Sequence, residues 1–90
     1  MRLKDKVSFL ARLQAENRIQ IPVEIRLRYK LETGQILRLQ IHPKEGFSSE
    51  EFHARLQHGG RVNVPWEVVW ALELTPGLML IVWLFLGEEK

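Results

Sequence analysis

The side chains of widest chemical reach in this sequence are arginines and tryptophans, and the groups that most catalysis needs are missing. The chain has no cysteine, which excludes a thiol nucleophile, a thiolate zinc site and a disulfide framework, and favours an intracellular setting. His53 and His58 lie five apart with Glu50 and Glu51 nearby, but strand and turn spacing does not aim them at one ion, so no metal is expected. No nucleophile with a base, no paired carboxylates and no phosphate-cradling glycine loop stands out, and Gly59-Gly60 reads as a turn. An enzyme is therefore the last expectation, with no catalytic residue and no cofactor assigned.

Arginine offers a different chemistry, because its guanidinium grips phosphate or guanine bidentately. A net charge of +2 and a pI near 9.3 are too mild to announce a nucleic-acid partner by themselves. The distribution says more. Through Gly46 ten basic residues face five acidic ones, giving +5, whereas from Phe47 onward three face six, giving −3. Arg12, Arg18, Arg55 and Arg61 also have a plain structural reading, as outward strand positions forming ion pairs with residues such as Glu24 and Glu67. Such pairs contribute little when exposed.

The elements that hold these residues follow from an internal repeat. Residues 9–41 slide onto 52–84 without a gap, and eleven positions are identical, from Phe9/Phe52 and Arg12/Arg55 to Gly34/Gly77 and Leu37/Leu80. Chance at ordinary frequencies would give roughly two. Each copy opens with period-two alternation, Val7, Phe9, Ala11 and Leu13 in one and Phe52, Ala54 and Leu56 in the other, which predicts a half-buried strand. Gln14–Asn17 and Gln57–Gly60 then predict turns, Asn17 and Gly60 both tolerating positive φ, and a second alternating strand completes a hairpin. Pro22 and Pro65 predict the first position of two short helices, with Glu24 and Glu67 at the positive end of the helix dipole. Thr75-Pro76-Gly77 fits a type II turn, and a third strand follows, with Leu37, Leu39 and Ile41 matched by Leu80, Val82 and Leu84.

The reading is thus two β-β-α-β units, 7–41 and 50–85, joined by a linker at 42–49 in one domain spanning 1–90. One unit has too little apolar area and too many open edges to stand alone. Two can close a mainly β, six-stranded barrel with a pseudo-two-fold axis. The apolar run Leu78–Phe85 is far shorter than the roughly 20 residues of a membrane-spanning helix and reads as a buried strand, and the charged start predicts no secretory signal, so a cytoplasmic location without a membrane partner is expected.

With the units drawn, Arg18-Ile19-Gln20-Ile21-Pro22-Val23-Glu24-Ile25-Arg26 followed by Leu31-Glu32-Thr33-Gly34-Gln35 resembles the AbrB/MazE-type swapped-hairpin family of DNA-binding regulators. The resemblance covers the first copy nearly end to end and the second more loosely. Most such regulators carry one unit and dimerise, so this chain looks like a built-in dimer. Single-chain duplications occur in the related RIFT and double-psi barrels, grouped with the swapped-hairpin form as cradle-loop barrels; a RIFT-type or swapped-hairpin barrel is expected here. The resemblance implies binding of double-stranded DNA through arginines at the positions of Arg12, Arg18 and Arg26, with Arg28 nearby, and through Arg55 and Arg61 in the second copy. There Val69 and Ala71 stand where the first copy has Arg26 and Arg28, which removes part of the grip. An antitoxin role is less expected, because MazE-type antitoxins use a long tail and only Gly87 to Lys90 follow the last strand.

A second constellation is apolar. Trp66, Val69 and Trp70 share a helix face at spacings of three and four, and Met79, Ile81 and Trp83 share the outward side of the last strand. Covered by the chain's own segments they are structural; left open they form a protein-partner or homodimer surface. A protein-interaction module is therefore the rival to DNA binding, and a small-ligand or nucleotide-binding barrel a third expectation.

Overall fold

The computed structural model describes residues 5–86, so the charged start at Met1 to Lys4 and the tail at Gly87 to Lys90 lie outside the described residues. The order is β1 (Asp5–Arg12), β2 (Arg18–Gln20), α1 (Val23–Arg28), β3 (Ile36–Pro43), β4 (Glu50–Arg55), β5 (Arg61–Asn63), α2 (Trp66–Leu72) and β6 (Met79–Leu86). The protein is mainly β. Four strands form an antiparallel sheet in the order β1-β6-β3-β4, and β2 pairs antiparallel with β5. Inward residues of both ladders meet in one core, where Leu13, Ile19, Ile21, Leu39, Ile41, Val62, Leu80, Val82 and Leu84 are fully buried. No polar or charged side chain is buried among the described residues.

The repeat is written into the backbone. Eight described residues have positive φ, and they form four equivalent pairs 43 positions apart: Glu16/Gly59, Asn17/Gly60, Lys30/Glu73 and Gly34/Gly77. The left-handed region disfavours a Cβ, so these pairs mark turns that both units need regardless of side chain. The ladders obey the same offset. Phe9 faces Val82 and, equivalently, Phe52 faces Leu39; at the centre, Gln40 faces its own counterpart Trp83, and Ile19 faces its own counterpart Val62. A pseudo-two-fold axis therefore passes through Gln40·Trp83 in the large sheet and Ile19·Val62 in the small one. The helices depart from equivalence: α2 buries Val68 and Leu72, while α1 buries nothing fully.

Four expectations change. Pro22 and Pro65 precede their helices at the N-cap, with ψ of 144° and 145°, instead of occupying the first helical position. The hairpins reduce to isolated bridges, Gln14 to Arg18 and Gln57 to Arg61, because β1 ladders with β6 and β2 with β5. Alternation fixes which face a strand buries and is silent on its neighbour. The closed six-stranded barrel is matched in its strands only: among the described residues they form two ladders with no continuous closure. The linker is also shorter, since β3 runs on through Pro43. No helix among the described residues is long and apolar enough to cross a membrane.

Candidate nucleic-acid interface

The β2–β5 ribbon is short because a left-handed turn precedes each strand and a proline follows it. Alternation sends Ile19 and Val62 into the core, so the register places Arg18 beside Asn63 and Gln20 beside Arg61 on the opposite, outward face. Two guanidinium groups and two amides thus share one strip. Each end of the ribbon is fastened by the other unit's turn: the Ile21 amide donates to Gly60 O at 2.8 Å and the Val64 amide to Asn17 O at 2.8 Å.

The six expected arginines divide by role. Arg18 and Arg61 lie on the ribbon and are half-buried. Arg18 pairs with Glu16 at 3.1 Å, and its Nε is left without an acceptor, while the Arg61 side chain makes no hydrogen bond among the described residues. Arg26 reaches the same region from α1, donating Nε to Ile21 O at 3.0 Å and crossing Gly60, where an added Cβ would come within 2.4 Å of its guanidinium. Only glycine leaves that passage open. Arg28 is exposed and makes no hydrogen bond or ion pair among the described residues.

Arg12 and Arg55 are elsewhere, and they clamp the fold. Arg12 Nη1 donates to Gly77 O at 2.8 Å and Arg55 Nη1 to Gly34 O at 2.9 Å, so each unit's first strand ties down the other unit's last turn. An exposed charge-assisted bond of this kind contributes about 1 kcal/mol. Arg12→Ala and Arg55→Ala should therefore each lower stability by about that amount in urea denaturation, with nearly equal midpoints; unequal losses would mean the two clamps are not equivalent.

Gln20 and Asn63 were not singled out from sequence, although the repeat places an amide at both positions. Gln20 Nε2 donates to Gly59 O at 2.8 Å, leaving its oxygen open as an acceptor. The six apolar candidates divide as well. Trp66 and Trp70 are 68% and 75% exposed on α2, and Val69 is half-buried against the core. Met79, Ile81 and Trp83 are half-buried on the central strand β6. There Lys6 Nζ lies 5.0 Å from the Trp83 ring centre, and Arg38, bonded to Glu51, stacks 4.4 Å over Phe85. That hydrogen bond holds the Glu51 carboxyl below its ordinary pKa. No group of three metal-ligating side chains occurs among the described residues.

A similar fold is found in the solution structure of PHS018 from Pyrococcus horikoshii, with a TM-score of 0.77, 30% sequence identity, and a match spanning 92% of this chain and 91% of that one. The chain belongs to the PHS018 family. The likeness to PHS018 spans both β-β-α-β units of this chain. No protein-family model and no curated protein matches the chain.

Proposed function

We propose that this PHS018 relative is a non-enzymatic, cytoplasmic DNA-binding protein of the AbrB/MazE type that meets duplex DNA with its β2–β5 ribbon. The observation that carries this reading is the shared outward face of Arg18, Gln20, Arg61 and Asn63. A two-stranded antiparallel ribbon fits the major groove, where arginine pairs with guanine and glutamine or asparagine with adenine. Arg26 and Arg28 extend the basic strip on one side only, because Val69 and Ala71 replace them on the other. The ribbon therefore offers two similar but unequal half-sites, and the preferred sequence should be an imperfect palindrome.

The same reading takes the two ladders as walls of one cradle-loop barrel of RIFT or swapped-hairpin type, joined at the β1–β2 and β4–β5 corners by the Gln14·Arg18 and Gln57·Arg61 bridges. The test is a fluorescence anisotropy titration of labelled random-sequence duplex at low and moderate salt. Affinity that falls steeply with salt is the expected result, since each neutralised phosphate releases counterions. Absence of binding at low salt would overturn the reading and leave the tryptophan face of α2 as the functional surface.

A further inference from the structure

The two helices present equivalent but chemically different faces. Val23 and Leu27 on α1 are 51% and 74% exposed, and their counterparts on α2 are Trp66 and Trp70. Val69, Leu74 and the two tryptophans line a groove of about 610 Å³ beside α2, and exposed Phe47 borders an adjoining hollow at Ala71 and Glu73. The charges differ in sign. α1 and the segment after it carry Arg26, Arg28 and Lys30 against Glu24 and Glu32, whereas α2 and the segment after it carry Glu67 and Glu73 with no cation.

We propose that the chain self-associates by seating α1 of one copy on the tryptophan face of α2 of another. Contact of α2 with α2 would oppose carboxylates, and contact of α1 with α1 would oppose cations. Only the crossed pairing joins complementary charge, with the apolar residues of both helices at its centre. The size is also right. At about 70% exposure, two tryptophans contribute roughly 350 Å². Matched coverage across two crossed junctions gives roughly 1,400 Å², within the range of stable interfaces. The tryptophan face of α2 takes no part in the DNA reading, whereas Arg26 and Arg28 of α1 serve in both, so duplex DNA and a second copy of the chain would compete for α1.

Sedimentation equilibrium on the full chain tests it. The average mass should rise with concentration from 10.6 kDa toward twice that value and fall back as salt is added. Trp70→Ala and Leu27→Asp alter exposed positions, so both should keep the wild-type circular dichroism, and each alone should raise the dissociation constant at least about 30-fold, as loss of an interface anchor does. Mixing the two variants should recover association in part, to a level above either variant alone and below wild type, because one of the two junctions, α1 of the Trp70→Ala chain on α2 of the Leu27→Asp chain, is then intact while the other carries both changes. A wild-type chain that stays monomeric at every concentration would overturn the proposal. So would a Leu27→Asp variant that associates as tightly as wild type, which would place the contact between two α2 faces or with a different partner.

Discussion

Leu39→Ala should lower the unfolding free energy by about 3 kcal/mol, within the range for a buried leucine that leaves a cavity. Leu39 is fully buried at the middle of β3, with Phe52 opposite it on β4 and Leu84 opposite it on β6, so its neighbours are fixed on both sides by ladder hydrogen bonds and cannot collapse into the space. A domain of this size is marginally stable, and a loss of this order should move the urea midpoint far with little change in slope. Val82→Ala, at the equivalent position, removes one carbon fewer and should cost about 2 kcal/mol. Leu10→Ala, 54% exposed on β1, is the control and should change stability by less than about 0.5 kcal/mol. A loss under about 1 kcal/mol for Leu39→Ala would show that the two ladders do not share one core.

Combined Arg18→Ala and Arg61→Ala should weaken duplex binding about 100-fold at constant salt, on the basis of about 1.4 kcal/mol for each guanidinium. The plot of log affinity against log salt should become shallower by about one for each phosphate that no longer meets a guanidinium. The ribbon's amides predict a separate signature. Gln20→Ala with Asn63→Ala should leave the salt slope alone and reduce discrimination between sequences, because amides read base edges and release no counterions. Urea denaturation of the arginine variant checks the fold, since Arg18 also pairs with Glu16. Wild-type affinity and slope in a folded Arg18→Ala/Arg61→Ala chain would remove the ribbon from any role in DNA binding.

Much of this architecture was legible because backbone demands and side-chain pattern coincide at the same offset. Gly34 and Gly77 announced their turns through residue type, and Leu37, Leu39 and Ile41 announced the buried face of β3 through spacing. Glu16, Lys30 and Glu73 adopt positive φ with no residue type to advertise it, and only equivalence with a glycine gives Glu16 away. Partnership was the larger omission. A period-two strand reports which face is apolar, and the pairing of β1 with β6 is decided between residues more than sixty positions apart, which no local pattern encodes. The candidate site shows the same division. Arg18 and Arg61 could be marked by resemblance, but their common face with Gln20 and Asn63 depends on the antiparallel register of two strands from different units. Arg12 and Arg55 shared the resemblance and proved to be ties to the carbonyls of Gly77 and Gly34, a use that depends on long-range geometry.

The positions on the pseudo-two-fold axis have a consequence for how such a chain can diverge. In an assembly of two identical units, whatever stands at an axial position must face a copy of itself, so a tryptophan there would meet a tryptophan and a glutamine a glutamine. Joining the units in one polypeptide lifts that self-complementarity: Gln40 can lie beside Trp83, and Ile19 beside the smaller Val62. The axis is thus the place where fusion grants new sequence freedom, and an asymmetric surface can be elaborated outward from it while the paired turns stay the same.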